Sequence, residues 1–158
     1  MTAAHDIHAE TNPAFCAAVL AQFCQAYHQH QQCQSSLPTA YLVLPVALSE
    51  DLAKTFEGCI KSTGLLVWLE RSPSVLSDLS KRVNATLEVT TEAIQFGCIA
   101  GLLRFEAEGE IASTNVKVPK VAIAGAVGSA FKRARLLGSW FAGAGSARAV
   151  MEAMRVSV

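Results

Sequence analysis

The stretch "TEAIQFGCIAGLLRFEAEGEIAS", Thr91 to Ser113, changes its period in mid-course. Its first half places apolar residues at helical spacing behind Thr90 or Thr91 and Glu92, side chains that suit the orphan amides and positive dipole end of a first turn. The second half, "LLRFEAEGEIAS", alternates about Gly109, as two strands joined by a tight turn do. A helix running into a β-hairpin is the arrangement that decides the fold class.

Immediately upstream lie two more helix starts. Ser62 precedes "TGLLVWLER", and Ser72 with Pro73 precedes "SVLSDLSKRVN"; proline in a first helical position loses no hydrogen bond. Three short helices and then a hairpin is the element order of a winged helix-turn-helix, an order that many small α+β domains share. The sequence therefore predicts a mainly α chain with a small β-hairpin, an α+β fold whose winged helix-turn-helix-like core spans residues 61–116. N-terminal and C-terminal helices flank that core.

In the N-terminal part, residues 12–60, "NPAFCAAVLAQFCQAYHQHQQ" opens with Asn12 as N-cap and Pro13 behind it. Phe15, Val19, Phe23 and Tyr27 recur at i+4, with Cys16 and Leu20 beside them, and give a wide apolar face to a helix of about five turns. After the polar Gln31 to Ser36 comes "AYLVLPVAL", which reads as a strand or buried extended segment, although periodicity alone does not separate it from a helix fragment. Ser49, Glu50 and Asp51 start a further short helix. In the C-terminal part, residues 117–158, one long helix is expected from Val121 to Phe141, stopped at Gly143, with a short helix capped by Ser146 after it.

At 158 residues the chain has room for one core, so residues 1–158 are expected to form a single domain. Residues 1–11 read as a tail that is disordered or ordered by a partner. That opening has neither a basic region nor an apolar run, and no run elsewhere approaches the roughly 20 residues of a membrane span, so a cytoplasmic protein without membrane contact is expected. Five cysteines, none in CxxC spacing, are expected as thiols.

Net charge is zero, which excludes the bulk positive field of a generic nucleic-acid binder. It conceals a gradient. Residues 1–60 hold one Lys against five Asp/Glu, and residues 102–158 hold eight Lys/Arg against four Glu. The composition is 51% hydrophobic and only 16% charged, which is consistent with apolar surface covered by other chains.

The chemistry-bearing residues are sparse. Cys24, His28, His30 and Cys33 are possible zinc ligands, but His30 points about 160° from His28 on a continuing helix, and the simpler reading is a buried cysteine beside a hydrated helix end. "GAVGSAFKR" lacks the Gly-Lys-Ser/Thr of a phosphate loop. Glu106, Glu108 and Glu110 alternate along the hairpin, the first two expected on one strand face, and read as a solvated edge. With no GxSxG turn and all four histidines in the first thirty residues, no catalytic residue, metal or cofactor is assigned and the chain is read as no enzyme.

Between Ala130 and Ser146 the chain reads "AFKRARLLGSWFAGAGS". On a helical wheel Val127, Ala130, Phe131, Ala134, Leu137, Gly138 and Phe141 form a core face. Leu136 and Trp140 fall among the cations Lys132, Arg133 and Arg135, a combination that suits a partner-binding stripe. The alternative is that the last helix folds back over Trp140. In a winged helix the third helix would read DNA, but "TTEAIQFGCIAGLL" contains no Lys or Arg, leaving Lys81, Arg82 and Arg104 as backbone-contact candidates, with phosphate contact by Lys132 and Arg135 as a minor reading of the basic stripe.

Taken in order, "NPAF", "YLVLPVAL", "LLVWLE", "EAIQFGCIAGLL" and "FKRARLLGSWFAGAGSARAV" resemble the middle component of bacterial three-component ABC systems, conflict systems that include the Lamassu anti-phage type. The resemblance runs from about Asn12 to Val150. It implies an SMC-like ABC ATPase and an effector subunit, often a nuclease, as partners, with DNA reached mainly through the complex. The chain itself would be a small non-enzymatic adaptor that joins the two and helps to restrain the effector until foreign DNA is sensed. The acidic first half and the Cys/His-rich helix end depart from the family pattern, so no metal site is implied. The alternative function is a free-standing winged-helix DNA-binding regulator.

Overall fold

A computed structural model describes residues 12–114 and 126–157. The expectations for residues 1–11 and for a helix beginning at Val121 fall partly or wholly outside these residues.

Helix α1, Pro13–Gln31, begins as its sequence predicts: the Asn12 side chain accepts from the amides of Ala14 and Phe15, at 2.9 and 3.3 Å. Buried residues occur on almost every side of it from Cys16 to Tyr27. A helix apolar all round belongs inside the molecule, and α1 is the axis on which the other elements pack. Its main neighbours are α7 (Ala126–Gly143), α6 (Leu79–Ile99) and the small sheet.

The α1 and α7 helices run in the same direction. Phe15 stacks on Phe131, Phe23 meets Phe141 edge-on, and Gln31 donates to the Ala142 carbonyl, so contacts advance together along both chains. The two helices come close at Gly138, where a Cβ would stand 2.4 Å from the Phe23 carbonyl oxygen and 3.0 Å from Ala26 Cβ. Only glycine admits backbone this close.

The hairpin forms as predicted. Strands β2 (Leu103–Glu106) and β3 (Glu110–Ser113) pair antiparallel with Phe105 opposite Ile111. A third strand, β1 (Ser35–Ser36), pairs with the other edge of β3, so the sheet order is β1-β3-β2. The molecule is thus mainly helical with a small antiparallel sheet. Two polar residues carry no alternating pattern, which is why β1 was not expected.

Three expectations need correction. The "YLVLPVAL" segment is helical: α2 (Leu37–Ala40) is followed by α3 (Val43–Ala47), whose residues are all buried. Pro45 is third in α3, within the first turn where its missing N–H has no intrahelical partner to lose. Next, of the two helices expected at 74–84 and 93–102, the start of the first is a separate 3-10 turn, Pro73–Leu76, and from Leu79 the two run together as one 21-residue helix, α6. Thr91 does not cap; its hydroxyl donates back to the Leu87 carbonyl at 2.8 Å and meets Tyr41 Oη at 2.9 Å. The turn expected ahead of Thr90 is therefore absent, and one continuous helix leads into the hairpin. Lastly, Glu108 leaves the strands for the turn at the tip, Ala107–Gly109, while Glu106 and Glu110 face each other across the ladder.

Short helices α4 (Glu50–Ala53), α5 (Leu65–Arg71) and α8 (Ala147–Ala153) complete the chain. Ser49 precedes α4 as expected, though its hydroxyl donates to Pro45 instead of capping. The α5 helix starts after Gly64, not at Ser62, and Ser146 caps α8 by accepting from the Ala149 amide at 3.1 Å.

Candidate partner-docking site

Helix α7 carries most of the predicted site, and the fold divides those residues into two sets. Ala130, Phe131, Ala134, Leu137 and Phe141 face inward as the wheel predicts. Trp140 and Arg133 are inside as well, at 2% and 8% exposure. The Trp140 ring lies parallel to Phe56 at 5.8 Å and 5.3 Å from Trp68, and its indole N–H donates to the Ile60 carbonyl at 3.2 Å. Trp68 completes the trio, 4.9 Å from Phe56, with its own N–H on Thr55 Oγ1. Buried indoles normally find such an acceptor. These aromatic partners come from residues 54–68, not from the last helix.

Arg133 points at the end of α3. Its Nε donates to the Ala47 carbonyl at 2.7 Å, and Glu50 lies 4.0 Å from Nη2. Burial lowers its pKa, partly offset by Glu50. An unpaired C-terminal helix carbonyl is thereby satisfied by a cation, the sign that the helix dipole favours there. This is an internal structural bond.

The remaining three predicted residues, Lys132, Arg135 and Leu136, line an open groove of about 370 Å³ between α7 and α1. Lys61, from the short helical turn Lys61–Thr63, joins them, with Ala26 and Phe131 as apolar floor. Arg135 Nη1 donates to Gln22 Oε1 at 2.9 Å, which holds the guanidinium at the groove with a neutral acceptor. Among the described residues neither Lys61 nor Lys132 has a carboxylate partner, and no carboxylate lines this groove. The site is a concentration of unneutralised positive charge over an apolar base.

The DNA-contact candidates stand elsewhere and are all ion-paired. Arg82 grips Asp51 with both terminal nitrogens and reaches Ser49; its hydrogen bond holds the Asp51 carboxyl below the usual carboxylate range. Lys81 pairs with Asp78 at 3.3 Å, and Arg104 with Glu106 on the outer strand. Among the described residues no group of three or more His, Cys, Asp or Glu could hold a metal ion. Cys24 is sealed in the core, where burial pushes its thiol up to about 12, while His28 and Cys33 lie on the surface.

A family model described as ABC-three component (ABC-3C) system Middle Component 3 matches residues 2–158. The chain belongs to that family. No curated protein and no solved structure matches it.

This middle component also presents an apolar corner that the sequence reading did not single out. Where α6 runs into the outer strand β2, with which it is in contact, Ile99 is 89% exposed and Phe96 39% on the helix, and Phe105 is 57% exposed on the strand. Here a signal was available: Phe96 and Ile99 are large apolar residues at i, i+3 in the stretch quoted first. For Lys61 and Gln22 none was, because only the packing of α1 and of the Lys61–Thr63 turn against α7 brings them to one groove. No helix among the described residues is long and apolar enough to cross a membrane.

Proposed function

We propose that this middle component is a non-enzymatic adaptor of a cytoplasmic defence complex of the anti-phage or anti-plasmid, Lamassu-like kind. It bridges an SMC-like ABC ATPase to a nuclease-type effector and helps to restrain the effector until foreign DNA is sensed. Family membership over residues 2–158 is the observation that carries the reading. Two open surfaces built from different elements, the cationic groove on α7 and the apolar corner of α6 and β2, support the bridging part, since a bridge needs two faces. The regulator alternative is weaker: Lys81, Arg82 and Arg104 are each occupied by a carboxylate, and helix α6 offers its C-terminal half no cation for phosphates.

The test is purification of the complex from its native operon through a tag on this chain. Expected is co-elution of ATPase and effector, with their association lost when this chain is deleted. Direct association of the two in its absence overturns the bridging role. Effector activity that stays low without this chain and without foreign DNA overturns the restraint.

A further inference from the structure

The cationic groove does not end at Lys61. A second groove, of about 600 Å³, shares Lys61 and Ser139 with it and continues past α5 toward α8. Its lining is mainly apolar: Leu66, 68% exposed, and Val67 stand on one bank, Ala144 and Ala149 on the other. Among the described residues the one carboxylate there is Glu152, held by Arg148 at 2.8 Å. The two grooves make one trough, cationic where Lys61, Lys132 and Arg135 converge and apolar where Leu66 and Val67 project.

We propose that this trough docks a short segment of a partner protein that is acidic at one end and apolar at the other. The inference rests on the adaptor reading and names the partner's chemistry. Charge complementarity identifies the occupant: three cations without a carboxylate gain from carboxylates placed over them, and such complementarity sets orientation and partner choice. The apolar half argues against nucleic acid. A phosphate backbone calls for cations along its whole track, and here they stop at Lys61 while exposed leucine and valine continue. Large apolar side chains of a peptide fill that half instead, with Leu136 beside the cations as a further contact.

The experiment places a photo-crosslinking phenylalanine analogue at Leu136 or at Leu66 in the complex assembled from the native operon, and the crosslinked peptides are sequenced. Expected is one continuous partner segment reached from both positions, its acidic residues at the Leu136 end. In parallel, the K61E/K132E variant leaves the bond between Arg135 and Gln22 intact and is expected to bind that partner at least about tenfold more weakly at 0.1 M salt. Lysines in place of the segment's acids are expected to restore binding to this variant. Equal thermal denaturation of variant and wild type shows that the fold is kept.

Crosslinks to a basic or purely polar segment, or wild-type affinity in K61E/K132E, overturn the proposal while leaving the adaptor reading in place. Duplex DNA retained by the isolated wild-type chain and released by K61E/K132E marks the trough as a phosphate face, which also overturns it. Failure of the wild-type chain to copurify with either operon neighbour removes both readings.

Discussion

Arg133 and Arg135 sit two residues apart on one helix and have opposite fates. Arg133 turns into the core and is spent on the Ala47 carbonyl of the chain's own α3, whereas Arg135 stays outside over a neutral glutamine. The same division runs along all of α7. Its inner side holds the close backbone seam at Gly138 and the Phe56–Trp68–Trp140 cluster; its outer side is an open bank of Lys132, Arg135 and Leu136. Residue type does not separate structural from available groups here, since arginine and large apolar side chains occur on both sides. The direction each side chain takes from the helix axis does.

The comparison is broken most readily at Trp140. Trp140→Ala removes one of the two indoles of the aromatic cluster together with its hydrogen bond to the Ile60 carbonyl, and a loss of about 3–5 kcal/mol in urea denaturation is expected. A loss under about 1 kcal/mol would place Trp140 outside the core. Gly138→Ala drives a methyl into the Phe23 carbonyl, so the helices must separate, at a cost of about 3 kcal/mol in the same assay. Arg133→Ala leaves the Ala47 carbonyl without its cation and is expected to cost about 1–3 kcal/mol, while Arg135→Ala changes stability by about 0.5 kcal/mol or less. Equal effects for the two arginines would erase the distinction between the sides of α7.

A smaller effect tests an exposed ion pair. Because Arg82 depresses the Asp51 pKa in the folded chain, the pair contributes stability above the unfolded carboxylate value near about 4 and loses it as pH falls through the lower, folded value. Melting curves of wild type and Asp51→Asn should therefore differ at pH 6 and draw together as pH falls below the unfolded carboxylate value; a constant gap would show that the pair does not titrate this way. Asp51 is mostly exposed, so the gap itself will be narrow. The smallest change is expected for Lys132→Ala, whose stability should match wild type within about 0.5 kcal/mol.

The legible parts of the fold were those with a local physical signature. The Asn12–Pro13 start, the hairpin around Gly109, the Gly143 stop and the Ser146 cap all depend on a few neighbouring residues. Where several arrangements share one local pattern, tertiary packing decided. Uniformly buried Val43–Ala47 gives no period to read, and the hydroxyl of Thr91, a cap by residue type, bonds back to Leu87 inside a continuous helix. The site followed the same rule. Lys132, Arg135 and Leu136 were accessible to a helical wheel, but a wheel does not show that residues 54–68 cover Trp140 or that α3 ends at Arg133. Nor does it show Lys61, separated from Lys132 by more than seventy residues of sequence, on the same groove.

The parallel pairing of α1 with α7 has a consequence for how the chain is made. Arg135 meets Gln22 and Gln31 meets Ala142 across 113 and 111 positions, so the central helix gains its principal neighbour only after that much more chain has been synthesised. Until then Phe15 lacks Phe131 and Phe23 lacks Phe141, and contacts of such long range form late and slowly. Synthesis alongside the other subunits of the same system would shelter those surfaces during the interval.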